Sequence, residues 1–353
     1  MNRALVDRIA NAVLYEGYIL YPYRPSLRNR QRWNFGGLYP ESYCEAIGEA
    51  ASNQTQCLVS GTVATRIEVI IRFLHLTART VGEVAPPIAE WPDNGEIPFR
   101  PVETLQVGEQ LLHTWQEAEE REIAIGEMML GDLTARSRCI SFTFSGGRRL
   151  EPVRDARGQI VGVLRREQHA IAGKINVEAV EAAKGLFRLT CQVSNCTPPT
   201  TLQPTNRDEA LLHTLVSTHT ILGVQSGAFV SLLDPPERWR DHAAACCNIG
   251  VWPVLVGAEG QADTMLSSRI ILYDNPQVAP ESPGDFFDGT EIDEMLALRI
   301  LTLTDDEKRA MATVDERTRL LLERTESMAE AQLRGLHGAI RDFEPLTQES
   351  ENG

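Results

Sequence analysis

The chain has 353 residues, 42% of them hydrophobic and 24% charged, which fits two ordinary domains and argues against a disordered chain. Lysine and arginine number 34 against 49 aspartates and glutamates, for a formal charge of −15. So acidic a balance argues against a general nucleic-acid binder and against attraction to anionic membranes.

Residues 2–16 read as a helix, with Leu5, Ile9 and Val13 at helical spacing and Gly17 ending it. Residues 18–40, YILYPYRPSLRNRQRWNFGGLYP, follow: Arg24, Arg28, Arg30 and Arg32 sit among aromatic residues with no acid. Pro22, Pro25, Gly36, Gly37 and Pro40 rule out long regular structure there, which leaves an extended arm or a folded-back loop. From about 56 to 195 the pattern has period two. Residues 66–77 place Ile67, Val69, Ile71 and Phe73 on one strand face, and His75 continues it as a hydrogen-bonded core residue. Further strands are expected at 121–129, 137–144, 159–165, 168–180 and 185–194, with turns at 145–147, 155–158 and 184–185. A proline- and threonine-rich linker spans 196–206. Beyond it the pattern predicts helices over 207–222, 236–247 and 314–341, a helix start at Thr304, and short strands at 251–256 and 269–273.

The expected fold class is therefore α+β: an antiparallel β-sandwich or barrel domain followed by a mainly helical mixed domain. The boundaries are 1–55 for the N-terminal helix and arm, 56–195 for the β domain, 196–206 for the linker, 207–345 for the helical α/β domain and 346–353 for a disordered tail. No apolar run is long enough to span a bilayer. Asp7 and Arg8 fall where a signal peptide would need its apolar core, and seven cysteines show no disulfide-framework spacing. Both point to reduced thiols in the cytoplasm.

Three groups of residues carry candidate chemistry. Arg24, Arg28, Arg30, Arg32 and Trp33 combine forks for carboxylates and phosphates with an interface anchor, the makings of a partner-docking arm or of a clamp onto the protein's own acids. Residues 274–294 hold seven acids and no base; the last of them suit the start of a following helix, while Glu281 and Asp285 stand in a proline-rich loop suited to partner contacts. His242, Cys246 and Cys247 form the third: on a helix, His242 and Cys246 share a face and supply half of a metal site, or a thiol pair. The chain holds no nucleophile elbow, phosphate-binding P-loop, zincin helix or dinucleotide fingerprint.

Residues 15–41, 247–257 (CNIGVWPVLVG) and 263–308 together resemble a bacterial family encoded beside the structural genes of high-affinity nickel–iron hydrogenases. The resemblance implies an accessory role, binding, assembling or maturing a hydrogenase, with 15–41 and 274–288 facing a hydrogenase subunit or maturation factor. His242, Cys246 and Cys247 would then be a transient metal site completed by the partner. The competing expectations are a metal- or thiol-dependent enzyme built on those three residues, and a structural module that forms homo-oligomers through its arm.

Overall fold

The structure, a computed structural model, describes residues 3–14, 36–92, 95, 97–108, 110–198, 207–258, 260–276, 300–312 and 316–327. In chain order, α1 (Arg3–Leu14) and α2 (Glu41–Ile47) precede β1 (Ser52–Ser60) and β2 (Arg66–Ile88). Next come β3 (Arg100–Val102), β4 (Thr104–Val107), β5 (Gln110–His113), β6 (Trp115–Met129), α3 (Leu130–Ala135) and β7 (Arg138–Phe144). Then follow β8 (Gly147–Arg154), β9 (Ile160–Gln168), β10 (Ile171–Ala183), β11 (Leu186–Asn195), α4 (Arg207–Leu211), β12 (Val216–Gln225) and β13 (Ala228–Val230). The last elements are α5 (Arg240–Ala244), β14 (Trp252–Leu255), β15 (Thr264–Ser268), α6 (Asp305–Ala312) and α7 (Glu316–Glu326).

Everything is organised on β2, a strand of 23 residues. One edge of it pairs first with β12 and then with β9; the other pairs first with β6 and then with β3. The resulting sheet runs β14-β15-β12-β2-β9-β8, and a second sheet runs β13-β1-β11-β10-β7. The two pack face to face: Ile67, Val69, Ile71 and Phe73 of β2 share one buried cluster with Ile175 and Val177 of β10 and Leu189 and Val193 of β11. The β-sandwich is therefore observed, with the period-two face of 66–73 turned into it as expected.

The opposite face of β2 is also apolar and buried. Ile70 packs with Val6, Ile9, Ala10 and Val13 of α1. Leu74 and Leu76 pack with Leu14, Tyr39, Tyr43, Ile300 and Leu322. Helices thus form a third layer over the central sheet.

The described residues are mostly antiparallel β-sheet with no mainly helical second domain among them, which corrects the expected α+β class. The stretch 207–222, expected as one helix, stops after Leu211 and becomes β12, because its Val-Ser-Thr-His-Thr-Ile run is wholly buried between β15 and β2, where β-branched side chains fit a pleated surface. The expected helix 236–247 is a 3-10 turn (Glu237–Trp239) and the short α5. It ends where β1 captures the chain: Gln56 N–H donates to Asn248 Oδ1 (2.7 Å) and the Cys247 N–H donates to Gln56 Oε1 (2.8 Å). The strand expected at 269–273 lies earlier, as β15, leaving Ile271 and Tyr273 exposed. The strand at 251–256 and the helix start at Thr304 appear as β14 and α6. Of the expected helix 314–341, the described part is α7. The strands after the 196–206 stretch join the sheets built before it: β13 pairs with β1 and β12 with β2.

Where β2 passes beyond the sandwich, an ion-pair ladder runs beside two smaller apolar clusters built on Val81 and Val84. Arg79, 6% exposed, donates to Glu117 (2.9 Å) and to the His113 carbonyl (3.1 Å). Arg166 bridges Glu117 and Glu151, both at 2.7 Å. Burial lowers the Arg79 pKa, whereas the hydrogen bond to Glu117 raises that of Arg166. Glu117→Ala leaves one buried guanidinium uncompensated, so a loss of about 3–5 kcal/mol in unfolding free energy is expected by denaturant titration, with Glu117→Gln losing less.

Candidate functional site

His242 lies on α5, and Cys246 lies beyond the helix end, where its Sγ approaches the His242 carbonyl at 3.6 Å. The Cys246 side chain packs against the cluster of Leu58, Leu186, Val230 and Ala243. Burial pushes its thiol upward, the reverse of an activated thiolate. Cys247 is exposed. Among the described residues no group of three or more His, Cys, Asp or Glu is placed to hold a metal ion. What this segment does in the structure is strap the chain to β1.

Arg24, Arg28, Arg30, Arg32 and Trp33 lie outside the described residues, as do Glu281 and Asp285. The structure does describe the points where both charged segments join the body. Leu14, Tyr39 and Ile300 sit in one buried cluster. Gly36, at φ +74°, has no room for a Cβ against the Arg269 side chain, and Arg269 Nη1 donates to the Gly37 carbonyl (3.3 Å). Leu38 pairs with Leu215 through two backbone hydrogen bonds. Asn195, 3% exposed, donates from Nδ2 to the carbonyls of Leu38 (2.7 Å) and His213 (2.8 Å), and its Oδ1 accepts from Thr197 N–H. On the other segment, Asp274 accepts from Leu255 N–H (2.8 Å) and pairs with Ser231, while Asn275 N–H donates to the Leu255 carbonyl (2.7 Å). Trp252, Ile271 and Tyr273, 44%, 72% and 86% exposed, lie on β14 and in the stretch that ends at these contacts. Asp274, counted among the loop acids from sequence, is thus a fastening.

A histidine seam lies beside this region. β12 and β9 meet end to end along one edge of β2: Val216 pairs with Leu74 and Gln168 with Thr77, so His75 and Leu76 face the junction. The His75 Nε2 bonds the His169 carbonyl at 2.8 Å, as a core histidine should. The rings of His169 and His213 lie 4.5 Å apart, and the ring of Tyr43 lies 6.5 Å from that of His213. Sequence reading singled out His75 alone; nothing local marks His169 or His213 as its neighbours. Burial lowers His75 to about 4, helped by Arg121 and opposed by the His169 carbonyl and Glu119. Burial, then His169 and His75, lowers His213 to about 4. His219, 1% exposed, is lowered to about 4 by burial, with Arg72 adding to it. These imidazoles are neutral at pH 7.

No known family model matches this chain, and no curated protein matches it significantly.

The pH consequence has a definite sign. Histidines held near 4 in the fold titrate near 6.5 when unfolded, so between those values the unfolded chain binds more protons. Stability is therefore full above about pH 6.5 and falls steadily as the pH drops toward 4. In urea titrations across that window, His75→Gln with His213→Gln should flatten the slope; an unchanged slope would show that the seam does not titrate as described.

Proposed function

We propose that the protein is a non-catalytic accessory protein of the cytoplasm that binds a nickel–iron hydrogenase subunit or maturation intermediate, gripping it with Arg24, Arg28, Arg30, Arg32 and Trp33 on one segment and Glu281 and Asp285 on the other. The observation that carries this reading is the shared anchorage of the two segments. Residues 15–35 hold four arginines and one glutamate, and residues 277–299 hold six acids and one arginine. Both are rooted around Leu14, Tyr39, Arg269 and Ile300. Two stretches of opposite charge rooted together, with Trp252, Ile271 and Tyr273 exposed nearby, supply the anchors and charge pattern that partner recognition uses. The resemblance of 15–41, 247–257 and 263–308 to the hydrogenase-associated family names the partner class. All seven cysteines are free, which suits a reducing compartment. Among the described residues no helix is long and apolar enough to cross a membrane.

The test is binding of the combined variant Arg28→Glu, Arg30→Glu, Arg32→Glu and Trp33→Ala to a purified hydrogenase large subunit, read beside its thermal unfolding. Affinity should fall at least about tenfold while unfolding is unchanged. Full binding with a lowered melting temperature would instead assign the arm to clamping its own body.

A further inference from the structure

Among the described residues the sheets expose several strand edges, and all but one of the longer ones are protected. β6 carries Glu117, Glu119, Glu120, Glu122 and Glu127 and a register shift against β2. β8 contains Pro152 and a register shift at Val153 and Arg154. The outer edge of β14 is occupied by its hydrogen bonds with Asp274 and Asn275. β3 and β13 are three residues each. Charges, prolines, bulges, coverage and shortness are the means by which proteins keep edges from pairing.

β7 has none of these along its middle. It pairs with β10 in unbroken register from Phe144↔Ile171 to Arg138↔Val177, and it pairs with no other described strand. Its alternate side chains Cys139, Ser141 and Thr143 are small and exposed, while Ile140, Phe142 and Phe144 pack on the sandwich core. Half of its backbone N–H and C=O groups therefore face outward along an edge of regular register.

Charge marks what this edge would accept. Arg136, Arg138 and Lys174 are exposed, and among the described residues none of them is in an ion pair. Lys174 stands opposite Ser141 in the register, whereas Glu178, an acid farther along β10, lies beyond the paired stretch. Residues 136–174 as a whole hold nine arginines and lysines against three acids, on a chain of net charge −15.

We propose that the edge of β7, unpaired among the described residues, docks an extended, acidic segment of a partner protein, which adds as a sixth strand to the β13-β1-β11-β10-β7 sheet with its outer-face carboxylates toward Lys174, beside Ser141, and its end toward Arg136 and Arg138 at the start of β7. The backbone ladder provides the affinity and the three cations select acidic strands. The proposal does not depend on the role of the charged segments above.

The probe is a fluorescent peptide of about nine residues alternating valine and glutamate, with two controls: the same peptide N-methylated at alternate residues, and one with lysine for glutamate. Fluorescence anisotropy should show saturable binding to the full chain that falls at least about tenfold with either control and with Arg138→Glu plus Lys174→Glu. Hydrogen exchange should slow at amides within 138–144 when the valine–glutamate peptide binds. Lack of binding, or equal binding of the N-methylated peptide, would overturn the proposal. So would a concentration-dependent dimer that protects the same amides without peptide, since a second copy would then own the edge.

Discussion

The constraint on which the rest depends is that β2 is buried on both faces and paired on both edges over most of its length. A strand in that position has little room for polar side chains, and residues 67–76 accordingly alternate nothing: Ile67, Val69, Ile70, Ile71, Phe73, Leu74 and Leu76 are all essentially inaccessible. Of its two charged side chains, Glu68 is partly exposed and the buried Arg72 obeys the rule by pairing. Arg72, 7% exposed, donates to Asn11 of α1 (2.7 Å) and Glu120 of β6 (3.0 Å), with Asp7 at 3.5 Å. That guanidinium fastens α1 to the sheet, and its burial is tolerated because it is paired and hydrogen-bonded to acids of α1 and β6.

The length of β2 creates a second requirement. Its neighbours β12 and β9 share one edge, and wherever two strands abut end to end the ladder is interrupted. Backbone groups at such a junction need other partners. Here the His75 ring, turned toward the interior, takes up the His169 carbonyl, and Asn195 takes up the carbonyls of Leu38 and His213 close by. The histidines are neutral because the junction is buried. Their titration is a by-product of closing the sheet, and His75 Nδ1 and His213 Nδ1 are buried with no hydrogen-bond partner among the described residues.

Legibility in the sequence followed how local the deciding interaction was. The strands expected at 121–129, 137–144, 159–165, 168–180 and 185–194 and their glycine turns were readable because one face of each is wetter than the other and the turns carry their own chemistry, whereas β8 at Gly147–Arg154 was missed. β12 was not: buried on both faces, its Thr218, His219 and Thr220 give no polar–apolar alternation, and Leu211, Leu215 and Leu222 imitate helical spacing. The 236–247 stretch has good helix propensity, yet the hydrogen bonds of Gln56 to Cys247 and Asn248 stop the helix from 191 and 192 residues away. The same distance in sequence hid the histidine seam. For the candidate contact residues the limit is different: composition flagged the arginine and acidic segments, but their common root appears only when Leu14, Tyr39 and Ile300 are seen in one cluster.

The layered arrangement also separates β7 from the points where the charged segments join the body. The charged segments are rooted at the helical layer that covers the far face of β2, while β7 belongs to the other sheet. What holds β7 in place is its inner face: Phe142 and Phe144 lie 5.9 and 5.8 Å from Phe73 across the sandwich, and Phe142 covers Gly173, which has no side chain to displace it. Those aromatic contacts fix the pleat from within, so the outer edge needs no support from a neighbouring strand to hold its form. An edge held in this way offers an incoming strand a preformed ladder, and the ordering cost of pairing falls mainly on the segment that arrives.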